Sequence, residues 1–257
     1  MARGTQKTPP PGRVNWKLVL GIAALGAMGV STAVAAYKVR QFVIGDPQFA
    51  LSRDREDAIT IQGLKYTSRS KVQRVFAPDY GHSVYMVPLA ERQRRLEAID
   101  WIEKATVSRV WPDRVVVRVQ ERQPVAFVNL RRGVMLIDAY GKLLEPPSQA
   151  QFAFPVLSGG ADSFTDEQWA AHVRSFLRVE RDLGYLVKEI SEIDTADPEN
   201  IRIITQVDRR ALTLLMGDGS YARRYQHFVK TYPEIVKRSP QARIFDLRLD
   251  DRITVKE

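Results

Sequence analysis

The chain has 257 residues, of which 44% are hydrophobic and 27% charged, enough apolar material for two modest domains and too much for a chain that stays unfolded. Cysteine is absent, which excludes disulfides, cysteine-based zinc sites and thiol nucleophiles. The net charge of +9 is concentrated in residues 1–45, where Arg3, Lys7, Arg13, Lys17, Lys38 and Arg40 face no acidic residue; the near balance of the remainder argues against a nucleic-acid-binding domain.

Residues 1–12 hold three consecutive prolines and few apolar residues, so they are expected to form a tail without a core. Residues 18–37 carry no charge. Twenty helical residues span roughly 30 Å, the thickness of a bilayer core. Trp16 and Tyr37 bracket the run as interfacial aromatics do. The Ala33-Val34-Ala35 triplet fits a signal-peptidase site, but the uncharged run is longer than a signal sequence needs, so an uncleaved anchor is expected. A long folded segment follows the span, which predicts the N-terminus inside and the rest outside.

Gly45-Asp46-Pro47 should end the helix, and 52–57 reads as a charged linker. Residues 57–64 alternate as a half-buried strand, with Ile59 and Ile61 on one side. Thr67 or Ser68 suits the cap of a helix with Val72, Val75 and Phe76 on one face. Pro88 opens a second helix, with Leu89, Leu96 and Ile99 apolar and Glu91, Arg92, Arg94 and Arg95 solvated. Residues 104–110 form a strand, 111–114 a turn in which Trp111 packs beside the hairpin, and 115–120 a strand alternating Val115, Val117 and Val119 against Val116, Arg118 and Gln120. The order is β-α-α-β-β.

Short strands then follow. Residues 125–130 and 134–138 flank a glycine-containing hairpin loop, and 154–157 is a brief strand. Thr165 with Gln168 forms a capping box for a helix whose stripe is Trp169, Val173, Phe176, Leu177 and Leu183, with Gly184 at its C-terminal cap. Strands are predicted at 190–194, 201–205 and 211–216. Gly217-Asp218-Gly219 reads as a turn before an amphipathic helix with Tyr225, Phe228, Val229, Tyr232 and Ile235 on its apolar side. Residues 243–249 and 252–256 close the chain as strands.

Catalytic signatures do not emerge. His82, His172 and His227 lie far apart, the latter two read as surface helix residues, and no metal-ligand spacing, nucleophile elbow or phosphate loop occurs. Asp166-Glu167 are helix-start charges, and no cofactor, metal or small-molecule substrate is expected.

One stretch is specific. Trp101-Ile102-Glu103-Lys104-Ala105-Thr106-Val107-Ser108-Arg109-Val110-Trp111-Pro112-Asp113-Arg114, followed by Val117-Arg118-Val119-Gln120-Glu121-Arg122-Gln123-Pro124-Val125-Ala126, resembles the FtsQ/DivIB bacterial cell-division family. Gly141, Leu157-Ser158-Gly159 and Asp246-Leu247-Arg248 agree more weakly. The resemblance implies an α+β chain: a cytoplasmic tail at 1–17, a transmembrane helix at 18–37, a linker at 38–56, a POTRA domain at 57–123, and a mainly antiparallel β domain with two helices at 124–257. It implies a non-enzymatic divisome scaffold at the septal inner membrane, assembling with FtsB, FtsL and other divisome proteins to control septal peptidoglycan synthesis. It implies strand addition of FtsB near the end of the β domain, for which Leu247, Arg248, Leu249, Arg252, Ile253, Thr254 and Val255 are the candidates. In the POTRA unit Val107, Arg109, Trp111 and Pro112 are the structural or recruitment candidates. Two places depart from the family pattern: Asp250-Asp251 follow Leu249, and Ser220-Tyr221-Ala222-Arg223-Arg224 replace an apolar strand. A membrane-tethered wall hydrolase with a POTRA-like accessory domain is the alternative. Proline at Thr254 is expected to block strand addition if that N–H faces outward, with Ile253 as the opposite-register control.

Overall fold

The structure, a computed structural model, describes residues 16–256. The tail expected over 1–17 lies outside these residues except for its last two, which already belong to a helix. Helix α1 (Trp16–Gly45) covers the whole uncharged run and continues through Lys38 and Arg40 to the expected break. Within it, 20–45 is the one stretch among the described residues long and apolar enough to cross a membrane. Asp46 caps the next short turn, accepting from the Gln48 N–H at 3.0 Å.

The strands β1 (Ile59–Gln62), β2 (Ile102–Val110) and β3 (Arg114–Glu121) form a three-stranded sheet in the order β1-β3-β2, with α2 (Arg69–Val75) and α3 (Leu89–Glu97) between β1 and β2 in the chain. This is the expected β-α-α-β-β unit. Alternation decides its core: Val115, Val117 and Val119 are buried while Arg118 and Gln120 are exposed.

By compactness the described residues divide into two units, one of 16–61 with 73–92 and 107–117, the other of 62–72, 93–106 and 118–256. In the first, α3 departs from expectation. Arg92 is buried at 5% exposure, because its guanidinium forks onto the buried Asp79 carboxylate, Nε to Oδ2 at 2.6 Å and Nη2 to Oδ1 at 2.9 Å. Those bonds hold the Arg92 pKa above its ordinary value. Val107 is buried, and Arg109 donates to the carbonyls of Val84 (2.8 Å) and Val87 (2.7 Å), tying down the turn between them. Trp111 does not bury itself beside the hairpin: at the tip between β2 and β3 it is 51% exposed, and the adjoining Pro112, joined by a cis bond, is exposed too. A three-residue tip has too little chain around it to enclose an indole.

In the second unit the Glu121-Arg122 pair acts as a double clamp. Glu121 accepts from three successive amides, Lys65 (3.0 Å), Tyr66 (2.8 Å) and Thr67 (2.7 Å). The chain leading into α2 is therefore held by a distant carboxylate; of the two expected caps, Thr67 has its hydroxyl buried without a hydrogen-bond partner, and Ser68 is the residue that directly precedes the helix. Arg122 donates to the Asp100 carbonyl (3.1 Å) and to Asp138 (2.8 Å), whose other oxygen takes the N–H groups of Tyr140 and Lys142. Trp101 is the buried tryptophan of the motif, its indole N–H on the Glu145 carbonyl at 3.0 Å and its ring against Tyr66 and Phe152.

Nine strands form the large sheet: β4 (Pro124–Leu130), β5 (Gly133–Asp138), β6 (Leu143–Leu144), β7 (Val156–Ser158), β8 (Ile190–Asp194), β9 (Ile201–Val207), β10 (Arg210–Gly217), β11 (Ile244–Asp246) and β12 (Thr254–Lys256), in the order β12-β11-β10-β9-β8-β7-β4-β5-β6. Pairing is mixed but mainly antiparallel; β10–β11, β4–β7 and β7–β8 run parallel. Two helices, α4 (Asp166–Leu183) and α5 (Tyr221–Arg238), share one core with alternate residues of these strands, including Val128, Ile203, Leu214 and Phe245. The α+β class expected from the sequence is the class observed.

The capping box of α4 forms as expected, and Gly184 caps its end at a positive φ. Val229 does not join the stripe of α5 and is exposed. Gly141 sits at φ +88°, and a Cβ there would lie 2.4 Å from the Ala170 backbone nitrogen of α4. Gly141→Ala should therefore destabilise the chain by about 1–3 kcal/mol, since backbone must shift to admit the methyl. Thermal unfolding in detergent checks this; an unchanged melting temperature would contradict it.

His172 is not a surface residue. It is half-buried, its Nδ1 2.8 Å from the Thr195 hydroxyl and its ring against Phe164. Burial pushes its pKa down, and Asp194 opposes this only in part. The unfolded chain then takes up the proton first as pH falls, so the stability present above about pH 6.5 declines below it. His172→Gln should flatten that decline. Ring titration by NMR should place the His172 midpoint below the ordinary histidine value; a midpoint above it would contradict the account.

Candidate partner-binding edge

The candidate edge is built by a short strand with one strongly anchored residue. Phe245 in β11 is buried against Phe228 (5.1 Å between ring centroids) and Tyr232 (5.8 Å), so Ile244 and Asp246 fall on the opposite face. Leu247 follows, also buried, with its N–H on the Leu215 carbonyl at 2.9 Å. It belongs to the core and is unavailable to a partner.

Arginines hold the connection from β11 to β12. Arg248 forks onto Asp246, Nε to Oδ1 at 2.9 Å and Nη2 to Oδ2 at 2.6 Å. These bonds hold the Asp246 carboxyl below the usual carboxylate range. Arg224, from the first turn of α5, donates to the carbonyls of Met216 and Arg248 and lies 3.3 Å from Asp250, which also accepts from Arg223 at 2.7 Å. Arg252 pairs with Asp251 at 2.9 Å. The two departures from the family pattern thus meet each other: the arginines of 220–224 bind the acid of 250–251. Residue-by-residue reading missed Arg223 and Arg224, although two departures of opposite charge were the available signal.

Backbone register fixes which groups the edge offers. Between β10 and β11 the Thr213 N–H donates to the Arg243 carbonyl at 2.8 Å, and the Leu247 N–H to Leu215. Arg243, Phe245 and Leu247 therefore aim their backbone groups at β10, and Ile244 and Asp246 aim theirs at β12. Since β12 pairs antiparallel with Ile244 opposite Lys256 and Asp246 opposite Thr254, Thr254 and Lys256 turn their N–H and C=O groups inward. Val255 turns its pair outward. The condition attached to Thr254→Pro is not met: the register is the reverse, with Val255 on the open side. Among the described residues no strand pairs with that side of β12.

The side chains divide accordingly. Ile253 and Val255 are half-buried and pack on the core beside Phe245, while Thr254 and Leu249 are exposed. Arg248 and Arg252 are exposed at their heads but already carry intramolecular carboxylate partners. Of the seven candidates, then, one is core, two are paired cations and four surround the strand edge. Of the POTRA candidates, Val107 and Arg109 lie on β2 of the three-stranded sheet, and Trp111 and Pro112 on the tip that follows it.

Comparison with known proteins gives these elements a family. Residues 57–122 match the "POTRA domain, FtsQ-type" family and residues 126–248 match "Cell division protein FtsQ/DivIB, C-terminal". The chain is 30% identical over 242 residues to the cell division protein FtsQ of Koribacter versatilis, covering 92% of this chain and 67% of that one. It is 28% identical to the cell division protein FtsQ of Shewanella oneidensis, over 95% of this chain and 87% of the relative. The cell division protein FtsQ of Syntrophotalea carbinolica is 24% identical over 98% and 89% of the two chains. A POTRA unit, a mixed sheet with two helices and relatives matched over nearly the whole length place this chain in the FtsQ/DivIB family of cell-division proteins.

Proposed function

We propose that this chain is a non-enzymatic scaffold of the division septum, anchored uncleaved in the inner membrane by a single span. Residues 1–17 lie in the cytoplasm, 18–37 fill the bilayer core, and 38–56 lead to a POTRA domain at 57–123 and a β domain at 124–257 outside the cytoplasm. The β12 edge takes up a strand of FtsB, and FtsB with FtsL joins the chain in controlling septal peptidoglycan synthesis. The observation that carries this reading is the outward pair of backbone groups at Val255 on an edge strand whose outer side pairs with no other strand among the described residues, the arrangement that strand addition requires.

A scaffold role is supported by how the shielded carboxylates are used. Asp79 is taken by Arg92, Glu121 by three amides, Asp138 by Arg122 and two amides, and Asp246 by Arg248. Each is consumed in holding backbone or side chain in place. A tagged full-length chain purified from solubilised membranes should bring FtsB and FtsL with it. Recovery of the chain without either would overturn the proposal.

A further inference from the structure

We propose that the tip between β2 and β3, with Trp111, and the turn at Val84–Met86 rest in the outer interfacial layer of the membrane, so that this face of the POTRA unit contacts lipid. The inference rests on the reading that α1 spans the bilayer. It starts from an anomaly: Trp111, Tyr85, Met86 and Phe42 are large apolar side chains about half exposed, although Val84 and Val87, flanking Tyr85 and Met86, are buried.

Two ring contacts and three hydrogen bonds bring them to one place. Phe42 on the last turns of α1 meets Phe49 edge-on at 5.7 Å, and Phe49 meets Trp111 edge-on at 5.8 Å. The Ser83 hydroxyl donates to the Val43 carbonyl at 2.7 Å, fixing the start of the 84–86 turn beside the helix exit. Arg109, at the end of β2, holds the carbonyls of Val84 and Val87. The exposed apolar groups therefore gather around the point where the helix ends.

Helix length places that point in the membrane's interfacial layer. Trp16 and Phe42 are 26 residues apart on one continuous helix, about 39 Å at roughly 1.5 Å per residue. A bilayer with its headgroup layers is about 40–45 Å thick. With Trp16 at one interface, Phe42 is at the other, and Trp111 is two ring contacts away from it. Lys38 and Arg40, one helical turn earlier, can carry their charged heads outward along their aliphatic stems. A half-exposed indole beside such a helix end fits the amphipathic environment that tryptophan favours at membrane surfaces.

Because the chain has no cysteine, single nitroxide labels can be placed in the full-length protein. We would label Tyr85→Cys, Pro112→Cys, Leu25→Cys at mid-helix and Tyr140→Cys as a solvent control, in nanodiscs of phosphatidylethanolamine and phosphatidylglycerol. Collision rates with oxygen and with a water-soluble nickel chelate report depth. The Tyr85 and Pro112 labels should show chelate access reduced several-fold relative to Tyr140, with oxygen access between those of Tyr140 and Leu25. Chelate access equal to that of Tyr140 at both positions, with Leu25 shielded, would overturn the lipid contact and leave the span intact. A chelate-accessible Leu25 label would overturn both. Labels shielded only when division proteins are added would overturn the lipid contact in favour of a protein partner.

Discussion

Replacing Asp79 with alanine is expected to destabilise the chain by about 3–5 kcal/mol, because it strands a buried guanidinium that cannot shed its charge. The two charges are desolvated together and satisfied by two short bonds, so each depends on the other. Replacing both residues with apolar ones of similar volume, Asp79→Leu with Arg92→Met, should recover most of the loss, since the desolvation penalty disappears with the pair. Chemical denaturation of the full chain in detergent checks both. Wild-type stability in Asp79→Ala would contradict the geometry, and a double variant no better than the single would contradict the electrostatic account.

Proline at Val255 is expected to weaken FtsB binding by about tenfold or more. It removes an outward main-chain donor, a loss of about 0.5–1.5 kcal/mol, and sets a ring against the incoming strand. Its N–H is not used within the sheet, so pairing of β12 with β11 should survive. Thr254→Pro acts differently, because that N–H faces the Asp246 carbonyl. It should detach β12 itself, seen as faster amide exchange at Asp246. Titration of FtsB onto each purified variant separates the cases. Full affinity in Val255→Pro would place the binding surface elsewhere.

Local regularities were legible in the sequence. The alternating valines of β3, the Thr165–Gln168 capping box and the glycine at the end of α4 depend on residues a few positions apart, and all three are found. The Trp101-to-Ala126 stretch identified the family because it combines a buried indole, a clamp and a strand register. What escaped depends on distant partners. Arg92 reads as solvated until Asp79 is seen beneath it. His172 is drawn inward by Thr195 and Phe164. Trp111 reads as core because tryptophan usually is, yet a hairpin tip offers no enclosure. The direction of an edge N–H is invisible to composition, since it follows from the parity of the neighbouring strand. That is why the edge could be proposed from the sequence but its outward residue could not.

Residue-resolved amide exchange of the full chain in detergent, alone and with FtsB, tests the binding edge most directly. Strand addition predicts that the Val255 amide, free to exchange in the isolated chain, becomes strongly protected in the complex, while the Thr254 amide, already bonded inward, changes little. Binding of FtsB with no change at Val255 would contradict the account.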